Sequence, residues 1–263
     1  MCNTPAFLAS FRLITALVMV FFITPLSGSG LTHPMVKSFP NDRTLSELRS
    51  ALEDVREATA SRYNAVDSAG HPMDTAKIIA DPAGGYLAVY HSAAAGFFEV
   101  HLADSRDLLH WTYRQSYGSH THQPYLAAAP GGGFLLANET DRGGCNWIQL
   151  RYYADRAALL ANRPARSFDV PHTQVPAGQW AEGTPSVISI ALDPDIDHSR
   201  IEIGFHYWQN GDVDRQARGT LTDFRAWTAE RQPDVDSAIL AYGIGGNIGD
   251  RDAAEFRGKS VAL

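Results

Sequence analysis

The sequence predicts an all-β protein, a β-propeller preceded by a short helix. From residue 62 onward, short runs rich in Tyr, Val, Ile and Phe alternate with Gly, Pro, Asp and Asn, which indicates many strands joined by turns. One unit of this kind recurs three times, and corresponding strand starts at Tyr86 and Phe134 lie 48 residues apart. A period of about 40 to 50 residues with about four strands is typical of propeller blades. An antiparallel sandwich with hairpins that are alike by chance is the alternative.

The first 30 residues have the layout of a secretory signal peptide. Arg12 gives a positive start, residues 13–26 are almost unbroken apolar sequence, and residues 27–30 are small. Because the apolar run is shorter than the roughly 20 residues that span a bilayer, we expect a secreted, extracellular protein without a stable membrane anchor. The expected organisation is a signal at 1–30, an N-terminal segment with a helix at 31–61 and a propeller-like domain at 62–263.

The predicted helix begins at Thr44, which forms a capping box with Glu47 and so satisfies free N–H groups of the first turn. Apolar residues spaced by three and four give it one buried face: Leu45, Leu48, Leu52 and Val55. We expect the helix to end near Ala60 and to pack across one side of the strands.

The three units cover residues 75–112, 121–161 and 184–228, and a fourth begins at residues 247–263. Each unit has a first strand, a turn, an aromatic or aliphatic strand, a third strand and a tail with the character of a helical turn. Trp111 and Trp227 recur in the tails and are therefore assigned to blade packing.

Composition excludes several classes of function. The net charge is −7 and the basic residues form no stripe, so nucleic acid is not expected as a partner. Cys145 is the single cysteine left after signal removal, which excludes an internal disulfide and a cysteine-based metal site. The glycine-rich stretch 243–249 is followed by no amphipathic helix and is read as a loop. We expect a monomer with no cofactor and no metal.

Three segments carry a resemblance to a known group of enzymes. Residues 105–111 (SRDLLHW), 182–185 (EGTP) and 81–90 (DPAGGYLAVY) resemble motifs of the five-bladed propeller glycosidases, the arabinanase, levansucrase and invertase group that includes glycoside hydrolase family 43. The resemblance implies a five-bladed propeller, a glycosidase activity and Glu182 as the general acid.

Two features depart from that group. The second unit opens with His122-Gln123-Pro124, where the resemblance leads one to expect an aspartate. Three full units and the start of a fourth also fall short of five, so the propeller is expected to be incomplete or to close differently. An open ring would leave an unpaired strand edge.

The first strand of each blade lines a propeller's central channel, so the unit starts predict the site. Glycoside hydrolysis needs one protonated and one ionised carboxyl group. Glu182, beside Trp180, is the predicted acid, and Asp74 is the predicted base. Asp250 is the third predicted catalytic carboxylate, where it would orient the sugar or tune the acid. The predicted substrate-binding residues are His122, Gln123, Trp180, His206 and Arg251. Glu139 ends a strand and is expected to lie off the axis.

Several functions remain open from the sequence. The first is an extracellular glycoside hydrolase acting on polysaccharide. The second is a carbohydrate-binding propeller without catalysis, and the third is an inert fragment of a longer enzyme. A polysaccharide lyase is a fourth, which would need a Tyr or His base with a neighbouring Arg or Lys. In all but the fragment, the expected partner is an oligo- or polysaccharide.

Overall fold

The protein is described here from a computed structural model, in which most of the chain after residue 42 is built of antiparallel strands. A short helix precedes three four-stranded sheets, and a further helix and a hairpin follow them. The residues that the structure describes are 43–54, 56, 58–141, 146–175, 181–208, 214–241 and 253–262. The predicted signal peptide and Cys145 lie outside these residues.

Each sheet is a four-stranded meander in which the strands are hydrogen-bonded in chain order, as in a propeller blade. The sandwich alternative is therefore wrong, because no two of these sheets exchange strands. Blade 1 contains β1 (Asp74–Ala80), β2 (Tyr86–Ala94), β3 (Phe97–Ser105) and β4 (Thr112–Ser119). Blade 2 contains β5 (Thr121–Ala128), β6 (Phe134–Thr140), β7 (Trp147–Tyr153) and β8 (Arg166–Asp169). Blade 3 contains β9 (Glu182–Leu192), β10 (Ser199–Tyr207), β11 (Arg215–Thr222) and β12 (Ala226–Arg231).

Three helices and one hairpin complete the described structure. The N-terminal helix α1 (Arg43–Glu53) confirms the predicted helix but ends before Ala60. Helix α2 (Arg156–Leu160) lies between β7 and β8, and α3 (Pro233–Ala241) packs against β11. The hairpin β13 (Ala253–Phe256) and β14 (Lys259–Ala262) belongs to the stretch predicted as a fourth unit. Within the described residues, no helix has the length and apolar character needed to cross a membrane.

Blade 2 is packed on both faces, and its second strand shows why. All seven residues of β6 are buried, and its four apolar residues alternate between two cores because successive strand residues point to opposite faces. Phe134 and Leu136 pack against the core shared with blade 1, whereas Leu135 and Ala137 pack against the core shared with blade 3. The continuous apolar run at residues 134–137 is therefore the sequence pattern of a strand that is packed on both faces.

The predicted tails are tight turns in blades 1 and 3, and a helix forms only in blade 2. In blade 1, Ser105 Oγ accepts a hydrogen bond from the Leu108 N–H (3.0 Å), and Asp107 Oδ1 accepts one from the His110 N–H (2.8 Å). Leu108 takes a left-handed conformation (φ 64°). Trp111 closes the turn and is buried, which confirms its packing role.

In blade 3 the tail turns at Asp223 and Phe224, both with positive φ. Trp227 then packs against Phe205 and lies directly over Gly219, where any side chain would overlap its ring. In blade 2, the Asp155 side chain instead accepts the Ala158 N–H at the start of α2.

A buried ion pair joins blades 1 and 2, and it predicts a measurable loss of stability. Arg156 donates to Asp81 (2.8 Å), whose side chain is 1% exposed. Arg156→Ala leaves this carboxylate buried without its cation, so we expect unfolding to need about 2 kcal/mol less. Urea unfolding measures the change. The control is Arg166→Ala, which removes an exposed pair with Asp197 and should cost under about 1 kcal/mol. Equal losses in the two variants would contradict the expectation.

Candidate functional site

The first strand of each blade contains a β-bulge at the same place. The register of pairing shifts after Asp74 in blade 1, after His122 in blade 2 and after Gly183 in blade 3. The residue that follows each of these has a left-handed backbone: Thr75 (φ 51°), Gln123 (φ 47°) and Thr184 (φ 47°). Such conformations cost about 1 to 3 kcal/mol in a non-glycine residue and concentrate at functional sites.

These bulges align the three blades residue by residue. Asp74, His122 and Gly183 are equivalent, so Glu182 stands one position earlier, level with Thr121 rather than with Asp74. The partners across the second strands are equivalent too. They are His91 in β2, Glu139 in β6 and His206 in β10, and all three are buried. We call the end of the blades that carries these six positions the mouth.

The bulges of blades 2 and 3 each join their blade to the preceding blade. The Gln123 N–H donates to His91 Nδ1 (3.1 Å), and the Thr184 N–H donates to Glu139 Oε2 (2.9 Å). Each of these bulges turns a backbone donor out of the ladder, and a polar side chain of the preceding blade accepts it. The corresponding acceptor in blade 3 is His206, whose buried Nδ1 finds no hydrogen-bond partner among the described residues.

The Glu139 carboxylate has several polar partners at the mouth. Besides the Thr184 N–H, it accepts a hydrogen bond from Asn146 Nδ2, and His122 Nδ1 lies 3.9 Å from its Oε1. A Cβ at Gly183 would overlap the Glu139 carboxylate, so only glycine fits there. Charge-assisted hydrogen bonds of this kind orient a carboxylate.

Asp214 is a second buried carboxyl group of the mouth. Burial raises its pKa, and the negative charge of Glu139 raises it further, while His206 acts in the opposite direction. The Asp214 Oδ1 lies 3.9 Å from His206 Nε2. The structure thus brings two carboxyl groups, Glu139 and Asp214, to the mouth, which the sequence did not predict.

Glu182, the predicted acid, has other partners. It is 1% exposed, and its Oε1 accepts backbone hydrogen bonds from Thr173 (2.7 Å), Gln174 (2.6 Å) and Val175 (3.1 Å). A carboxylate with three N–H donors on one oxygen holds the 173–175 loop. This geometry argues against proton donation to a ligand.

The other predicted site residues divide into two sets. The structure places Asp74, His122, Gln123 and His206 at the mouth; Asp74 is exposed there, and Gln123 Oε1 is buried with no partner among the described residues. Trp180, Asp250 and Arg251 lie outside the described residues.

Sequence reasoning left four residues of the mouth out of the predicted site. Glu139 was expected to lie off the axis, but the structure places it at the mouth, opposite His122. Phe98 is 38% exposed, and its ring centroid lies 4.7 Å from that of His91 and 5.9 Å from that of His122. An exposed aromatic ring beside polar groups is a typical wall of a ligand site. His91 and Asp214 were missed as well. A comparison of second strands by their distance from the turn would have found His91, whereas nothing in the sequence marks Asp214.

In the part of the chain that the structure describes, no group of three or more His, Cys, Asp or Glu side chains could hold a metal ion.

His91 predicts a pH dependence of stability. Burial lowers its pKa from 6.5 to about 4, with help from the neighbouring imidazoles of His122 and His101. Since the folded state binds this proton less well than the unfolded state, the contribution of His91 is complete above pH 6.5 and is lost as the pH falls towards 4. Urea unfolding should show about 2 kcal/mol less stability at pH 4.5 than at pH 7 from this group. His91→Gln should reduce that difference, and an unchanged pH dependence would contradict the assignment.

Comparison with known proteins gives one structural likeness. No protein-family model and no curated protein matches the chain. Among solved structures it is similar to the α-L-arabinofuranosidase Arb93A from Fusarium graminearum, solved in complex with an iminosugar inhibitor, with 13% identity and a TM-score of 0.41. The match covers 60% of this chain and 48% of that chain, so this chain spans about half the length of the protein it resembles. At this level of similarity the likeness carries nothing about activity.

Proposed function

We propose that this protein is a glycoside hydrolase whose site is the mouth of its blades. The observation that supports the proposal is the pair of buried carboxyl groups, Glu139 and Asp214, close enough for the charge of one to raise the pKa of the other. Hydrolysis of a glycosidic bond needs such a pair, one group protonated and the other ionised. The pair replaces Asp74 and Glu182 in the roles that the sequence suggested.

In this proposal Asp214 is the acid. It gives its proton to the glycosidic oxygen as the bond from that oxygen to the anomeric carbon breaks. Glu139, oriented by Thr184 and Asn146, stabilises the positive charge that develops at the anomeric carbon. Water adds to that carbon, and one of its protons passes to the Asp214 carboxylate, which restores the acid.

The remaining groups of the mouth would bind the sugar. Phe98 offers an apolar ring for stacking, and His122, Gln123 and His206 offer hydrogen-bonding atoms for hydroxyl groups. The expected ligand is an oligo- or polysaccharide.

Secretion is part of the proposal and rests on the N-terminal sequence. Expression in a secreting host, followed by N-terminal sequencing of the protein in the medium, tests it. Cleavage near Gly30 is expected, and retention of the uncleaved chain in the cell membrane would contradict it.

A carbohydrate-binding protein without catalysis is the second candidate, and the bonding of Glu139 favours it. Both oxygens of this carboxylate already accept hydrogen bonds from the protein. A group bonded in this way can position a sugar-binding surface without taking part in a reaction.

Turnover separates the two candidates. Aryl glycosides and arabinan and xylan fragments are incubated with the wild type, with Asp214→Asn and with the control Asp197→Asn, which makes the same change at an exposed carboxylate. The hydrolase requires turnover that Asp214→Asn lowers at least a hundredfold and Asp197→Asn leaves unchanged. Binding without turnover supports the second candidate, and absence of both overturns both.

A further inference from the structure

The imidazole of His91 has one nitrogen whose role is determined by the backbone. The Gln123 N–H donates to its Nδ1 (3.1 Å), and the Thr75 hydroxyl lies 3.0 Å from the same atom. A backbone N–H can only donate, so His91 Nδ1 must carry a lone pair rather than a proton. Thr75 and Gln123 are the bulge residues in the first strands of blades 1 and 2, so both blades fix the position of the His91 ring.

The surroundings of the ring keep it neutral. His91 is 6% exposed. Its ring centroid lies 6.3 Å from that of His122, whose ring is perpendicular to it, and 4.7 Å from that of Phe98 in an edge contact. Asp74 is its partner in the strand register, and His101 is the remaining titratable neighbour. Burial and the two histidines lower the pKa to about 4. A neutral ring with a bare Nδ1 carries its proton on Nε2.

The Nε2–H group is a donor without an acceptor among the described residues. It belongs to a ring that borders Phe98 and His122, the proposed sugar-binding groups. A fixed donor beside an aromatic wall suits an oxygen of a bound sugar, because such an oxygen accepts a hydrogen bond without any need for charge.

We infer that His91 is a substrate-binding residue that donates a hydrogen bond from Nε2 to a hydroxyl or ring oxygen of the carbohydrate. This inference rests on the proposed function and adds the substrate contact. His91 does not act as a base, because the lone pair on its Nδ1 already accepts the hydrogen bond from the Gln123 N–H. His206, at the equivalent position of blade 3, lacks that backbone donor among the described residues and serves as the internal comparison.

The first test needs no ligand. Two-dimensional ¹H–¹⁵N NMR of the histidine rings, with His91 assigned from His91→Gln, reports which nitrogen carries the proton. We expect the Nε2–H form of His91 throughout pH 5 to 8, while His198, an exposed histidine whose pKa its partner Asp195 raises, titrates. A proton on Nδ1, or titration of His91 near its ordinary pKa, overturns the inference.

The second test measures binding of arabinan and xylan oligosaccharides by calorimetry. His91→Phe removes the donor and should weaken binding about tenfold, the size of one hydrogen bond, while His91→Gln keeps an N–H near Nε2 and should lose less than about threefold. Oligosaccharides that bind His91→Phe as tightly as the wild type overturn this inference and leave the proposed function intact. Absence of binding to wild-type protein overturns the proposed function, and this inference with it.

Discussion

Replacement of Glu182 by alanine is expected to lower the free energy of unfolding by about 3 kcal/mol or more. One carboxylate oxygen accepts the N–H groups of residues 173–175, and the Val175 end of that loop is buried. Alanine leaves these donors without an acceptor, and each buried unsatisfied group costs about 1 to 3 kcal/mol. Denaturant unfolding followed by circular dichroism measures the loss.

Glutamine is the matched control at this position. Its carbonyl oxygen can still accept the three N–H groups, and its amide can donate to Thr173 Oγ1, which lies 3.5 Å from the second carboxylate oxygen. Glu182→Gln should therefore lose no more than about 1 kcal/mol and should keep any turnover of the wild type. A stable Glu182→Gln protein without turnover would show that Glu182 does more than hold the loop, and it would restore Glu182 as the acid.

Replacement of Glu139 by glutamine is expected to lower kcat at least a thousandfold on any glycoside that the wild type hydrolyses. The change removes the negative charge that would stabilise the transition state. The new amide N–H₂ would also face two other donors, the Thr184 N–H and Asn146 Nδ2, so the hydrogen bonds around residue 139 must rearrange. Steady-state kinetics give the loss in kcat.

Two controls separate chemistry from structure in that experiment. Asp74→Asn changes the base that the sequence suggested, and it should leave kcat within about threefold because Asp74 is exposed at the mouth. Thermal unfolding of Glu139→Gln should remain cooperative. Loss of turnover in Asp74→Asn together with an active Glu139→Gln would assign the ionised carboxylate to Asp74 and contradict the pair proposed here.

The tetrapeptide 182–185 shows how far sequence reasoning reached at the site. Its resemblance to a glycosidase motif led to Glu182, whose carboxylate accepts hydrogen bonds from the 173–175 loop. In the structure, Gly183 leaves room for Glu139, and the Thr184 N–H binds it. Both contacts join residues more than 40 positions apart in the chain, so no local pattern could reveal them.

The fold was predictable because its signals are local. Turn residues and alternating apolar positions repeat at each blade, and they are dictated by backbone geometry over a few residues. The tails were less predictable, since helix formation at α2 depends on Asp155 as a cap, whereas the Ser105 and Asp107 side chains favour a tight turn.

The amino-acid sequence by itself determined the blades, because strand period, turn chemistry and the recurring tail are properties of short segments. It also placed His122, Gln123 and His206 among the polar residues of the mouth. Only the tertiary structure decided which polar side chains lie together at the mouth. The bulges at Thr75, Gln123 and Thr184 set the strand register, and the register brings Glu139, His91 and His206 to one level. Burial and charge at that level then decide the protonation of His91 and Asp214, and both depend on neighbours distant in the chain.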